Sequence, residues 1–173
     1  MASDVEAQFT DVYREHYEDV LRFVRRRAHP MYVDDIVSDT FLTAWRRWRE
    51  LPEEPRPWLF GTARKVMLNA HRGQHRQTAV AVRIMEVGGD DSYDGMIAAE
   101  NRMDLVSAWR QLSAADQEVL ALHVWEGLPD RAAASVLGCS RAAYTMRLSR
   151  CKRRLAKAFG STSCPAPILT SAN

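Results

Sequence analysis

The sequence predicts an all-α protein made of two small helical domains joined by a flexible acidic linker. Three observations carry this. Apolar residues recur at three- and four-residue spacing through most of the 173 residues. No stretch alternates apolar and polar residues as a half-buried strand would. The periodicity lapses over 77–95, where Gly88-Gly89-Asp90-Asp91-Ser92-Tyr93-Asp94-Gly95 is polar and glycine-rich. The chain is therefore expected to divide into a domain over 1–76, a linker over 77–99, a second domain over 100–159 and a disordered tail over 160–173.

The first helix is expected from Ser3 to Arg27. Ser3-Asp4-Val5-Glu6 has the form of a capping box, and Phe9, Val12, Tyr13, His16, Tyr17, Val20 and Val24 share one side. Pro30 closes it. A second helix is expected from Asp34 to Arg49, with acids in its first turn and Arg46, Arg47 and Arg49 in its last, matching the helix dipole. Val37, Phe41, Ala44, Trp45 and Trp48 form its apolar stripe. Pro52, Pro55 and Pro57 stiffen the loop that follows. A third helix then starts at Pro57, a residue suited to the first helical position, and runs to His75. Leu59, Thr62, Ala63, Val66, Met67 and Ala70 line one side of it; Arg64, Lys65, Asn69 and Arg72 line the other. Three helices of this size close a small bundle.

Beyond the linker, periodicity resumes from Met96 to Leu112. Ser113 caps the next helix and Gly127 ends it. Asp130 to Leu137 is a short helix, Gly138-Cys139-Ser140 a tight turn, and Ser140 the cap of a long final helix. There Tyr144, Leu148, Cys151, Leu155 and Phe159 must face the core, which turns Arg141, Thr145, Arg147, Arg150 and Arg154 outward. This is a helix-turn-helix whose second helix carries the charge, a device for placing side chains in a DNA major groove.

Net charge is only +2, so its distribution matters more than its total. Arg141 to Lys157 holds seven Lys or Arg and no acid, and 55–79 holds Arg56, Arg64, Lys65, Arg72 and Arg76 with no acid. Two basic patches separated by an acidic stretch favour a polyanion met at two places. The N-terminus has no cationic segment leading into an apolar run, so no secretory signal is expected. No stretch approaches the ~20 apolar residues of a membrane span, so no membrane contact is expected. Cys139, Cys151 and Cys164 have no motif spacing and suit a reducing cytoplasm.

Other chemistries find little support. His71 and His75 stand at a zinc-compatible spacing, without the glutamate of an HExxH motif or a third ligand, so no metal is expected. Asp90-x-Ser92-x-Asp94-Gly95 opens like a calcium loop, but Asn101 stands where the closing glutamate is required. No serine, cysteine or carboxylate constellation suggests catalysis, and no cofactor is implied. Trp45, Trp48, Trp58 and Phe60 read mostly as core from their helical spacing.

Three segments together resemble the bacterial RNA polymerase sigma factors of the extracytoplasmic-function (ECF) type. Val33-Asp34-Asp35-Ile36-Val37-Ser38-Asp39-Thr40-Phe41-Leu42-Thr43-Ala44-Trp45 is similar to that family's region-two helix. Pro55-Arg56-Pro57-Trp58-Leu59-Phe60, followed by Ala63-Arg64, is similar to its "P-x-x-W-L-F-x-I-A-R" run. Residues 112–155, with Gln117-Glu118-Val119, Glu126-Gly127-Leu128 and the arginine-rich last helix, are similar to region four. The resemblance implies a dissociable specificity subunit that binds core RNA polymerase and promoter DNA and makes no bonds itself. Asp34, Asp35, Val37, Asp39, Phe41, Leu42 and Trp45 would dock a coiled coil of the largest polymerase subunits. Arg56, Arg64, Lys65, Asn69 and Arg72, with the loop from Glu50 to Pro57, would read and open the minus-ten element. Arg141, Ala142, Thr145, Arg147, Arg150 and Arg154 would read the minus-thirty-five element, with the β flap as region four's polymerase contact. An anti-sigma factor held between the domains is a further implied partner.

The chain departs from the pattern at Lys65, where the family usually has asparagine, and at Ala142-Ala143-Tyr144-Thr145-Met146-Arg147, where it usually has "G-T-V-K/R-S-R". Leu128-Pro129-Asp130-Arg131-Ala132-Ala133-Ala134 also presents a thinner packing face than the usual "L-S-Y-x-E-I-A". These changes imply an altered base preference or less reliance on the upstream element. The competing reading is a stand-alone helix-turn-helix regulator whose N-terminal bundle senses or dimerises; such a bundle has no need of an acidic, aromatic helix followed by a basic, tryptophan-led one.

Overall fold

The computed structural model describes residues 2–72 and 103–162, and these are all-α. Helix α1 spans Ala2–Arg25, α2 Val33–Arg46 and α3 Pro55–Arg72. Helix α4 is described over 103–110, followed by α5 (Ala114–Val124), α6 (Asp130–Leu137) and α7 (Arg141–Thr162). Short 3-10 turns at Pro30–Tyr32 and Trp48–Glu50 bracket α2. The expected linker at 77–99, the calcium-like segment and Cys164 lie outside the described residues, as do most of the expected tail and the side chains of Ser3, His71 and Arg72.

Helix α1 ends at Arg25 rather than Arg27 and α2 begins at Val33 rather than Asp34, and two further boundaries differ from expectation for local reasons. Helix α2 stops at Arg46 rather than Arg49, because the last turn tightens into the 3-10 turn that leads to Pro52. Helix α3 starts at Pro55 rather than Pro57. The first-turn N–H groups of a helix have no intrahelical acceptor, so both prolines fit there without losing a bond.

The N-terminal three helices pack through Val20, Phe23, Val24, Ile36, Val37, Phe41, Leu59, Phe60 and Met67, all essentially buried. The Phe23 and Phe60 rings stack with centroids 4.5 Å apart. In the C-terminal half, Ser113 Oγ accepts from Asp116 N and Ser140 Oγ from Ala143 N, so both serines cap as expected. Gly138 adopts φ 67°, the left-handed conformation that ends α6 and turns the chain into α7. Tyr144, Leu148 and Cys151 bury the inner face of α7, and the Tyr144 hydroxyl donates to Val119 O at 3.1 Å.

The halves meet in one continuous core where α3 packs on α6. A methyl group added at Gly61 of α3 would rest 3.8 Å from Val136 Cα, so the helices approach closely there. The Arg27 side chain is fully buried at the edge of this seam. Its Nε donates to Glu118 Oε1 at 3.1 Å, and its Nη1 donates to Glu126 Oε1 at 2.9 Å and to Phe23 O at 3.0 Å. Its guanidinium carbon lies 3.7 Å from the Phe23 ring centroid, and its Nη2 has no partner. Arg26 reaches Glu126 at 3.3 Å, and Arg56 bridges Asp19 Oδ2 (2.6 Å) and Glu126 O (2.8 Å).

Two carboxylates tie helices together and contribute to stability against acid. Burial alone would raise the Asp19 carboxyl, but hydrogen bonds and charge from Arg22 and Arg56 bring it below its ordinary value. Asp116 follows the same logic, with Cys151, Arg154 and Ser113 donating to it. Groups depressed on folding contribute stability above their unfolded value and lose it as pH falls through the folded one. The protein should keep this contribution above about pH 3.8 and lose it below. Thermal unfolding followed by circular dichroism at descending pH should show an acid limb that Asp19→Asn with Asp116→Asn flattens; an unchanged limb would refute the assignment.

Candidate nucleic-acid interface

Helix α7 sorts its residues cleanly. Arg141, Ala142, Thr145, Arg147 and Arg150 are exposed, as the spacing predicts. Among the described residues, the side chains of Arg141, Arg147 and Arg150 have no hydrogen-bond or ion-pair partner, so their donors are free for phosphates or base edges. Two members of the expected set are already engaged. The Thr145 hydroxyl directs its proton between Asp130 Oδ2 (2.7 Å) and Arg141 O (3.1 Å). Arg154 Nη1 donates to Asp116 Oδ2 at 2.5 Å, which makes it a tie between α7 and α5 rather than a free cation. The buried Cys151 thiol donates to Asp116 at 3.1 Å, and burial followed by that bond pushes it up to about 12, leaving it protonated and inert.

On α3, Lys65 and Asn69 are exposed and Arg64 is half-buried. Lys65 and Asn69 line a groove of about 230 Å³ together with Arg47, Trp58, Thr62 and Ser135, the last contributed by α6. The expected positive patch on the Glu50–Pro57 loop is not there. Arg56 turns inward to Asp19 and the Glu126 carbonyl, leaving Glu53 and Glu54 exposed on that loop. The loop instead borders a cleft of about 640 Å³ between the halves, lined in part by Glu15, His16, Trp48 and Leu128. Arg72 belongs to α3, but its side chain is outside the described residues.

The third face is on α2. Asp34, Asp35 and Asp39 are exposed, and Leu42 and Trp45 are 44% and 42% exposed. Val37 and Phe41, expected on this docking face, are buried at 4% each: Phe41 packs edge-on to Tyr13 at 4.7 Å. They support the face and do not form it. Trp45, expected on the docking face although most of the four aromatics Trp45, Trp48, Trp58 and Phe60 read as core, lies at the surface against Phe9, centroids 5.0 Å apart. Its aromatic-rich stripe belongs partly to the core and partly to solvent, which spacing alone does not separate.

Among the described residues no group of three or more His, Cys, Asp or Glu could hold a metal ion, and no helix is long and apolar enough to cross a membrane.

Comparison with known proteins shows the family to which this fold belongs. The family model for sigma-70 region 2 matches residues 12–77, and that for sigma-70 region 4 matches residues 102–155. The chain belongs to the ECF-type RNA polymerase sigma factors. Among curated relatives, RNA polymerase sigma factor CnrH of Cupriavidus metallidurans is 30% identical over 147 residues, covering 76% of this chain and 75% of CnrH. ECF RNA polymerase sigma factor SigL of Mycobacterium tuberculosis is 26% identical over 149 residues, covering 83% and 84%. Among solved structures, the sigma factor RpoE in complex with the anti-sigma factor NepR from Bartonella quintana has the same fold, with TM-score 0.64 at 21% identity over 88% of this chain and 97% of that one. The sigma factor binds RNA polymerase and directs promoter-specific transcription initiation.

Proposed function

We infer that this sigma factor reads its promoter at two places, with a third face holding it to the polymerase. The outward face of α7 takes the minus-thirty-five element in the major groove through Arg141, Ala142, Arg147 and Arg150. The groove edged by Lys65 and Asn69, with Arg64 beside it, takes the minus-ten element, where unstacking a base costs a few kcal/mol and needs a polar-lined recess to receive it. Asp34, Asp35, Asp39, Leu42 and Trp45 dock a basic, partly apolar coiled coil of the largest subunits, and the α4–α7 half takes the β flap. Residues 1–76 and 100–159 act on the promoter as separate readers joined through 77–99, although α3 and α6 share one core, and α7 carries the second reader on to Thr162. The chain works in the cytoplasm, supplies specificity and leaves bond-making to the core enzyme. RpoE's complex with NepR suggests that an anti-sigma factor also binds this chain.

The observation that carries this reading is the set of free arginines on the outward face of α7, opposite a fully buried Tyr144. Run-off transcription with purified core polymerase on genomic promoter fragments tests it: promoter-dependent initiation is expected. Initiation left unchanged when the upstream element is replaced would overturn the assignment of α7 to it. The docking face has its own test. Leu42→Ala with Trp45→Ala should weaken core association at least tenfold, consistent with the ~2 kcal/mol of an interface anchor. Core affinity measured by fluorescence anisotropy would expose a wrong assignment if the pair left it unchanged.

A further inference from the structure

Helix α7 places one large apolar side chain in the middle of its basic face. Met146 is 57% exposed, whereas Tyr144 and Leu148, two residues to either side, are 0% and 6% exposed. At about 100° per residue, two positions turn the helix by ~200°, so Met146 points directly away from the core. Ala142 and Arg150, four residues before and after it, lie on the same stripe and are exposed, and the exposed Arg147 follows it directly. The neighbouring polar candidate is withdrawn: Thr145 spends its hydroxyl proton on Asp130 and Arg141 O, which braces α7 against the start of α6. A single exposed methionine is ordinary on a protein surface. This one sits among unpartnered arginines, near the N-terminal end of a helix-turn-helix recognition helix, where side chains meet base edges.

In the major groove, thymine presents one apolar group, its C5-methyl, and side-chain carbon contact with it discriminates thymine from the other bases. We propose that Met146, with Ala142 beside it, is a specificity-determining residue that reads a thymine methyl in the upstream promoter element, while Thr145 is a positioning residue. This rests on the reading of α7 as the upstream-element reader. It assigns that reader a partly apolar code: arginines for phosphates or guanine on the flanks, and a thymine methyl at the centre.

The probe is promoter DNA in which each upstream thymine is replaced in turn by uracil. That removes the methyl group and keeps every hydrogen-bonding atom. The protein used is the full chain assembled with core polymerase. Wild-type holoenzyme should lose about fourfold in affinity at one thymine or two adjacent ones, the ~0.8 kcal/mol of one buried methyl group. Met146→Ala should bind the thymine promoter more weakly and no longer distinguish thymine from uracil there. Met146→Leu, which keeps an apolar body, should retain the discrimination. Because Met146 is exposed, neither variant should disturb folding. Indifference of the wild type to uracil at every upstream position would overturn the proposal, and so would an undiminished uracil penalty in Met146→Ala. If the holoenzyme initiates but fails to protect the upstream element, the underlying reading of α7 falls instead, and it falls on the footprint rather than on the uracil series.

Discussion

Replacing Arg27 with alanine should destabilise the protein by about 3–5 kcal/mol, because it leaves Glu118 buried without its cation and Glu126 with Arg26 alone. The side chain has no exposure, donates to both carboxylates and covers the Phe23 ring, so the loss combines charge, hydrogen bonding and packing. The unpartnered Nη2 shows that the wild-type arrangement is itself imperfectly satisfied. A buried ion cluster that is incompletely bonded is weak evidence for net stability, although breaking it one-sidedly is costly. Arg27→Met with Glu118→Leu and Glu126→Met should therefore recover most or all of the loss. Urea denaturation of the three proteins decides this. A single variant with a wild-type midpoint, or a triple variant as weak as the single one, would remove the seam from the account of stability.

The second large effect concerns DNA. Arg147→Ala with Arg150→Ala should reduce upstream-element affinity of the holoenzyme by roughly thirtyfold or more, the ~2 kcal/mol expected when two base- or phosphate-directed arginines are lost. The salt dependence of binding should become shallower by about one unit of slope for each phosphate contact removed. Both arginines are exposed and unpartnered among the described residues, so the fold should be unaffected. Arg154→Ala should behave differently, affecting thermal stability more than DNA binding, since its guanidinium is held by Asp116. Equal DNA defects from Arg154→Ala and Arg147→Ala would contradict the division between tie and reader.

Much of the fold was legible because its signals are local. Ser113, Gly138 and Ser140 mark their helix ends through rules that need only a few neighbouring residues. The inner face of α7 follows from three- and four-residue spacing alone. What the sequence concealed depended on distant partners. Arg25, Arg26 and Arg27 look equivalent in the chain, yet only Arg27 is fully buried, by acids 91 and 99 residues away. Arg56 reads as part of a basic patch until Asp19 and the Glu126 carbonyl claim it. Phe41 and Trp45 share a stripe four residues apart. Their separation into core and surface depends on where α1 supplies Tyr13 and Phe9, which the pattern of α2 does not encode. The resemblance to sigma factors suggested which faces to consider, while side-chain commitments within them became visible only in three dimensions.

The seam between α3 and α6 also has a consequence of length. A duplex rises about 3.4 Å per base pair, so elements centred some 25 base pairs apart lie roughly 85 Å from each other. A compact chain of this size has a radius of gyration of only about 16 Å. While Ser135 of α6 borders the groove of Lys65 and Asn69, the two readers sit too close together to straddle a straight promoter. If α3 and α7 read the two elements as proposed, they part first, and the charged edge of the seam suits parting, since Arg27, Glu118 and Glu126 would regain water as they release one another. A duplex of fixed pitch is thus a ruler that the folded-up chain is too short to measure.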